Sequence, residues 1–123
     1  MSKVVLVCGG RNYQDWARLT AVLDSLDTED APITKIVNGA ARGADKMSTG
    51  WALGNGTDFV EYPADWKQYG KAAGAIRNQK MLDSEAIDLV VSFPGGNGTA
   101  DMVKRALKRG IPVIDSETAL LVS

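Results

Sequence analysis

Short apolar runs along the chain alternate with longer segments in which apolar residues recur every three or four positions. The apolar runs, which are rich in β-branched residues, predict five strands, at 3–8, 35–37, 58–62, 87–93 and 111–115. The segments with helical spacing predict four helices, at 14–26, 44–53, 67–82 and 101–108. Strand and helix therefore alternate from one end of the chain to the other.

This alternation predicts the α/β class, as one Rossmann-like domain over residues 1–123. Because the strands are short and apolar on both faces, we expect a mostly parallel, five-stranded sheet with helices covering both faces. Ligands of such sheets bind beyond the carboxyl ends of the strands, near the point where the strand order reverses. The residues that follow each strand are therefore the candidates for function.

Glycine-rich segments follow three of the predicted strands, at 9–13 (GGRNY), 39–45 (GAARGAD) and 94–99 (PGGNGT). Glycine lets the backbone approach a ligand closely, and the free N–H groups and dipole of a helix start favour an anion. One such loop could serve only a tight turn, but three at one sheet edge, two of them with an arginine, indicate a site for phosphate or carboxylate. The residues predicted to contact the ligand are Gly9, Gly10, Arg11, Asn12, Gly39, Arg42, Gly43, Asp45, Trp66, Arg77, Asn78, Pro94, Gly95, Gly96, Asn97, Gly98 and Thr99.

Several of these residues also have a purely structural interpretation. Trp66 either packs in the core, which we favour slightly, or offers a flat face to a base. Arg77 either clamps a phosphate or forms a surface salt bridge. Asp45 and Asp101 lie near helix starts, where an acid complements the helix dipole, and Asp101 can also pair with a basic residue one turn later. Asp65, three residues before a glutamine, is typical of a helix cap.

The composition and net charge of the chain limit which metals, cofactors and binding partners we expect. The chain has 123 residues, one cysteine, no histidine and a net charge of −1. A disulfide within the chain and the usual zinc ligand sets are therefore excluded, and we predict no metal. None of the loops has a dinucleotide or P-loop signature, so we predict no cofactor.

The near-neutral charge, without a basic cluster, argues against a nucleic-acid partner and against a membrane surface. The amino terminus leads directly into a strand, so we expect a cytoplasmic protein.

The motifs taken together resemble the SLOG superfamily, and most closely its YspA-like branch, which is related to the LOG phosphoribohydrolases. The resemblance is carried in order along nearly the whole chain by residues 9–13, 39–45, 63–66 (PADW), 73–74 with 77–78 (AG and RN) and 94–102 (PGGNGTADM). It implies a Rossmann-like fold that binds a nucleotide or nucleotide-derived ligand and, in some members, cleaves it. Because many relatives pair, it also implies a homodimer.

The LOG enzymes release a base from a nucleoside monophosphate, and their pattern P-G-G-x-G-T-x-x-E ends in a glutamate that assists cleavage at the sugar. Met102 stands in that place here, and Asp101 would point about 100° away around the helix. Arg77 looks like the counterpart of the arginine that accompanies this glutamate. N-glycosidic cleavage passes through a cationic sugar and needs a carboxylate beside it. The acids that could supply one are Asp45, Glu61, Asp65 and Asp101.

Three functional hypotheses follow. The first is a domain that binds a nucleotide or a nucleotide-derived small molecule, as a sensor or a sequestering protein. The alternative is a phosphoribohydrolase that acts on a nucleoside 5′-monophosphate, with Asp101 or Asp45 as its non-standard catalytic acid. The third, which the charge argues against, is a nucleic-acid-binding module.

Overall fold

The computed structural model describes residues 1–118 and the backbone of residues 120–122. The strands are β1 (Lys3–Cys8), β2 (Ile33–Asn38), β3 (Asp58–Glu61), β4 (Leu89–Ser92), β5 (Val113–Asp115) and β6 (Leu120–Val122). The helices are α1 (Trp16–Leu26), α2 (Ala44–Asn55), α3 (Trp66–Tyr69), α4 (Ala73–Ser84) and α5 (Asn97–Lys108), with a 3-10 turn at Gly70–Ala72 between α3 and α4.

The strands form one sheet in the order β3-β2-β1-β4-β5-β6. The first five are parallel, so the predicted α/β class and its parallel sheet are confirmed. The sheet also has a sixth strand, β6, which pairs antiparallel with β5 and was not predicted. A three-residue strand after a tight turn is too short to show a period in the sequence. The strand order reverses between β1 and β4, whose loops therefore diverge and leave space between them.

Helices on both faces of the sheet bury its alternate side chains. On one face Val5 and Val7 of β1 pack in a cluster with Leu19 of α1 and Trp51 of α2. On the other face lies a second cluster, whose buried residues are Leu6, Cys8, Val37, Met81, Leu82, Val90, Met102, Ala106 and Val113. Burying one such large side chain stabilises the fold by about 1.5–3 kcal/mol. The two clusters hold β1 and β4 in place from both sides.

Two predicted helices have different limits in the structure. The one predicted at 67–82 is interrupted, because α3 ends at Tyr69, directly before Gly70 with its left-handed φ of +54°, and α4 begins at Ala73. The one predicted at 101–108 begins four residues earlier, at Asn97. Residues 97–99, which were expected to be loop, are therefore the first turn of α5, and Asp101 lies in the second turn.

Within the part of the chain that the structure describes, no helix is long and apolar enough to cross a membrane.

Candidate functional site

A cavity of about 380 Å³ opens at the carboxyl edge of the sheet, where the strand order reverses. This volume lies within the range of small-molecule pockets. The cavity brings together residues from all three glycine-rich loops and from α3 and α4. Its lining residues are Val7, Cys8, Gly9, Gly10, Arg11, Gly39, Ala41, Asp45, Trp66, Gly74, Arg77, Asn78, Met81, Gly96, Gly98 and Thr99.

The start of α5 forms one wall of this cavity. Gly96 precedes the helix and supplies no side-chain cap, and the first turn contains no acidic residue. The first N–H groups of a helix have no carbonyl partner within it, and the helix dipole makes this end electropositive. A Cβ built on Gly96 or Gly98 would meet no heavy atom within 4 Å, so the space beside these two residues is open. The geometry suits an anion such as a phosphate.

The start of α2 also reaches the cavity, but an acidic side chain of the protein already occupies this helix start. Asp45 lies in the first turn of α2, and its Oδ2 accepts a hydrogen bond from the Ala41 N–H at 3.2 Å. The side chain is buried, with only 6% of its surface exposed. Burial raises the pKa of Asp45 to about 6, although the Ala41 N–H and the charge of Arg77 act in the opposite direction. This carboxyl can therefore gain or lose a proton near neutral pH.

Buried Asn38, at the end of β2, shapes the loop that leads into α2. Its Oδ1 accepts a hydrogen bond from the Ala40 N–H at 2.9 Å, and its Nδ2 lies within hydrogen-bond distance of Ser48 Oγ, Thr49 Oγ1 and the Asp45 carbonyl. Ala40 has a φ of +63°, which is rare for a residue other than glycine. Asn38 holds this turn in place. Sequence reasoning missed it, although an asparagine that ends an apolar strand directly before a glycine was a visible signal.

Arg77 of α4 crosses the cavity and lies against the β2–α2 loop. Its Nη1 donates to the carbonyl oxygens of Gly39 and Tyr62, and its Nε donates to Asn78 Oδ1 at 3.0 Å. A Cβ on Gly39 would lie only 2.7 Å from the Cζ of Arg77, so glycine permits this close approach. Burial lowers the pKa of the guanidinium. Arg77 forms no ion pair with a described carboxylate, so the interpretation as a surface salt bridge is wrong.

Trp66 stands at the rim of the cavity and is 48% exposed, so the core packing that the sequence slightly favoured is wrong. The guanidinium carbon of Arg11 lies 5.2 Å from the centre of its ring, within the range of a cation–π contact. A Cβ on Gly74 would lie 3.5 Å from the Trp66 ring. The indole thus presents part of its surface to solvent next to a cation.

Asp101, one of the two predicted catalytic acids, does not line the cavity. Its Oδ2 accepts hydrogen bonds from Asn78 Nδ2 at 3.0 Å and from Arg105 Nε at 2.8 Å. Partial burial acts to raise the pKa of Asp101, but the bonds from Arg105 and Asn78 lower it below its usual value. This geometry gives no support to a catalytic role for Asp101. It matches the alternative interpretation from the sequence, in which Asp101 pairs with a basic residue one turn later, here Arg105. Met102, in the place of the LOG glutamate, is buried in the core.

The other acids considered from the sequence have structural partners. Asp65 caps α3 by accepting a hydrogen bond from the Gln68 N–H at 3.1 Å, as its spacing predicted. Glu61 pairs with Lys46 at 3.1 Å and accepts from the Thr49 hydroxyl. Neither acid lines the cavity, whereas Asp45 does.

The predicted contact residues that do not line the cavity are Asn12, Arg42, Gly43, Pro94, Gly95 and Asn97. Two of them allow the loops to pack on one another. A Cβ on Gly95 would lie 2.7 Å from the Gly10 nitrogen, and one on Gly43 would lie 2.8 Å from the backbone of Arg11. The Gly10 N–H also donates to the Pro94 carbonyl at 2.8 Å. Gly43, Pro94 and Gly95 therefore set the shape of the site rather than its surface.

The lining residues outside the predicted contact set are Val7, Cys8, Ala41, Gly74 and Met81, of which Ala41 and Gly74 lie within the motifs noted in the sequence. Val7, Cys8 and Met81 belong to core clusters, and strand and helix patterns do not show where a core opens to a cavity. Burial raises the pKa of the Cys8 thiol to about 12, so it is not a thiolate nucleophile near neutral pH.

Comparison with known proteins identifies the family. The profile of the YspA, cpYpsA-related SLOG family matches residues 3–69, which is more than half of the chain. The chain belongs to this family. The SLOG protein described here is also 35% identical over 119 residues to the "Gene 61 protein" of Mycobacterium phage D29, an alignment that covers 90% of this chain and 94% of that protein. The resemblance seen in the sequence motifs is thereby confirmed.

Solved structures share the fold at low sequence identity. DNA processing protein A (DprA) from Streptococcus pneumoniae superposes with a TM-score of 0.69 at 21% identity, over 92% of this chain and 50% of that chain. The SLOG protein thus spans half the length of DprA. The Moco carrier protein from Chlamydomonas reinhardtii superposes with a TM-score of 0.60 at 14% identity, over 94% of this chain and 76% of that chain. These likenesses confirm the Rossmann-like fold.

Proposed function

We propose that this SLOG protein binds a nucleotide or nucleotide-derived small molecule in the cavity at the carboxyl edge of the sheet, as a sensor or a sequestering domain. The observation that carries the proposal is that one cavity holds the uncapped start of α5 together with Arg77 and the exposed face of Trp66. A phosphate at the helix start would receive backbone N–H groups and the Thr99 hydroxyl. Arg77, anchored by backbone carbonyls, would supply the countercharge.

The rest of the cavity suits the other parts of a nucleotide. Trp66 offers an aromatic face on which a base can stack, a contact worth about 1–3 kcal/mol in comparable sites. Val7 and Met81 contribute apolar surface to the cavity wall. The Moco carrier protein, which has the same fold, is named for carrying a small molecule, and that supports a binding role without transformation of the ligand.

The proposal is tested with a pair of glycine substitutions. Gly98→Val places two methyl groups beside the start of α5, whereas Gly54→Val makes the same change at an exposed site in α2, outside the cavity. No heavy atom lies within 4 Å of a Cβ at either position. Since valine has the better helix propensity, both variants should be as stable as the wild type or gain up to about 0.5 kcal/mol.

The measurement combines calorimetry and mass spectrometry. Small molecules released from the denatured wild-type protein are identified, and titrations use nucleoside 5′-monophosphates, ADP-ribose and cyclic nucleotides. We expect at least one nucleotide to bind, with affinity reduced about tenfold, or 1.4 kcal/mol, by Gly98→Val and unchanged by Gly54→Val. Absence of binding across this panel, together with absence of any released ligand, would overturn the proposal.

A second candidate function is hydrolysis of the N-glycosidic bond of a nucleoside 5′-monophosphate. Asp45 favours it, because this acid lines the cavity and its pKa is raised to about 6. A carboxyl group that titrates near neutrality can act as a general acid or base beside a sugar. Chromatography of monophosphate incubations would detect the free base, and its release should be lost in Asp45→Asn but kept in Asp101→Asn. If no monophosphate yields free base, this candidate is excluded and the binding role is unaffected.

A further inference from the structure

A side cavity of about 280 Å³ adjoins the main cavity. The two cavities share Arg11, Trp66 and Arg77 in their walls, and Arg42 adds a third arginine to the side cavity. The Arg11–Trp66 pair, with the guanidinium 5.2 Å from the ring centre, therefore lies where the two spaces meet. A ligand longer than one phosphate and one sugar can extend from one cavity into the other past this pair.

The charged side chains that line the side cavity are all arginines. No acidic residue is among those that line it. None of its three arginines forms an ion pair with a carboxylate among the described residues. Burial lowers the pKa of Arg77, and the charge of Arg11 lowers it further, as two cations in proximity should, although Asp45 of the main cavity acts in the opposite direction. Three arginines around one space repel one another, and an anion placed between them would relieve this repulsion.

The start of α5 does not line the side cavity. An anion bound there is therefore separate from the phosphate that the proposed function places beside Gly96 and Gly98. Arg42 is exposed and lies in the loop between β2 and α2, two residues after the turn at Ala40 that Asn38 holds. A planar guanidinium held by a fixed loop suits bidentate recognition of a phosphoryl group.

We infer that the ligand is a nucleotide with two phosphoryl groups, one at the start of α5 and the second in the side cavity between Arg11 and Arg42. This inference rests on the proposed function and narrows it. Nucleoside diphosphates and diphosphate-linked sugars both carry this chemistry.

Calorimetry with ligands matched in their base tests the inference. The wild type, Arg42→Gln and Lys108→Gln are each titrated with AMP, ADP and ADP-ribose, and with the corresponding guanine nucleotides. Lys108→Gln removes the same charge from an exposed site on α5 that lines neither cavity. The Arg42 side chain is exposed and forms no ion pair within residues 1–118, so its replacement should leave the fold intact. Urea denaturation of each variant checks this.

The wild type is expected to bind a diphosphate ligand more tightly than the matching monophosphate. Arg42→Gln should weaken binding of the diphosphate about fivefold to tenfold and change binding of the monophosphate less than about twofold. Lys108→Gln should change neither. A preference for ADP-ribose over ADP would identify the diphosphate-linked sugar as the source of the second group, and the reverse would identify the free diphosphate.

The outcomes separate this inference from the proposed function. If the wild type binds mono- and diphosphates equally, or if Arg42→Gln weakens both to the same extent, the second phosphoryl site is wrong and the proposed function stands. If the wild type binds no nucleotide at all, both are overturned.

Discussion

Replacing Asp45 by asparagine is expected to stabilise the protein near neutral pH. The folded state raises the pKa of this carboxyl from 3.8 to about 6, and burial is the main cause. Between these pH values the folded protein keeps a proton that the unfolded chain has already lost. The free energy of unfolding therefore falls as pH rises through this window. Above the window the buried carboxylate is ionised, and it lowers the free energy of unfolding by its full amount.

The size of the effect follows from the difference between the two pKa values. Each unit corresponds to about 1.4 kcal/mol, so the shift of roughly two units sets an upper bound of about 3 kcal/mol near pH 8. An asparagine in this place would keep the shape of the side chain and an oxygen that accepts from the Ala41 N–H. Asp45→Asn should therefore raise the free energy of unfolding by about 1–3 kcal/mol at neutral pH and change it little near pH 4.

Urea denaturation of the wild type and Asp45→Asn at several pH values measures this difference. Asp101→Asn is the matched control, because the folded state lowers the pKa of Asp101 and the sign is reversed. The stability that Asp101 contributes is present above its unfolded pKa and is lost as pH falls through its folded pKa. Its substitution should lower stability at neutral pH by less than about 1 kcal/mol, as for an ion pair whose side chains are about one-third exposed. A pH-independent effect of Asp45→Asn, or destabilisation at neutral pH, would refute the argument from burial.

Two further predictions concern residues that shape the site. Asn38→Ala should lower the free energy of unfolding by about 2–4 kcal/mol in urea, because it leaves the Ala40 N–H without its acceptor and removes the Nδ2 donor that Ser48 Oγ and Thr49 Oγ1 share. Thr34→Ala, at an exposed site on the same strand, should cost less than about 1 kcal/mol, and equal losses would contradict the role given to Asn38. Trp66→Phe should abolish most of the change in tryptophan fluorescence when a nucleotide binds, since neither buried Trp51 nor exposed Trp16 lines the cavity, and an undiminished change would place the base elsewhere.

Much of the fold could be predicted from the sequence because the sheet is buried on both faces. Strands such as β1 are apolar at every position from Val4 to Cys8, and this continuous pattern is typical of a parallel sheet under two helical layers. The alternation of Val5 and Val7 on one face with Leu6 and Cys8 on the other then follows from strand geometry. Helix limits were less predictable, because Gly70 interrupts an otherwise helical pattern through its backbone conformation alone.

The site was harder to predict where a role depends on burial. Asp45 and Asp101 both follow a glycine-rich loop near the start of a helix, and the sequence offered the same two interpretations for each. In the fold, Asp45 points under the loop between β2 and α2 and lines the cavity, while Asp101 faces α4 and pairs with Arg105. The opposite shifts of their pKa values come from these tertiary contacts. No local pattern distinguishes them.

The glycines of the site have two different roles, packing between loops and leaving space for a ligand, and a motif match does not distinguish them. Gly43 and Gly95 are needed by the protein itself, because a side chain there would collide with the backbone of a neighbouring loop, whereas a side chain at Gly39 would displace the end of the Arg77 side chain. Gly96 and Gly98 face open space, so packing gives no reason for glycine at either position, and helix propensity disfavours it at Gly98. The absence of a structural requirement at these two positions is itself an argument that the space beside the α5 start is kept clear for a ligand. Substitution at Gly96 and Gly98 should therefore affect binding before stability, and substitution at Gly43 and Gly95 should affect stability first.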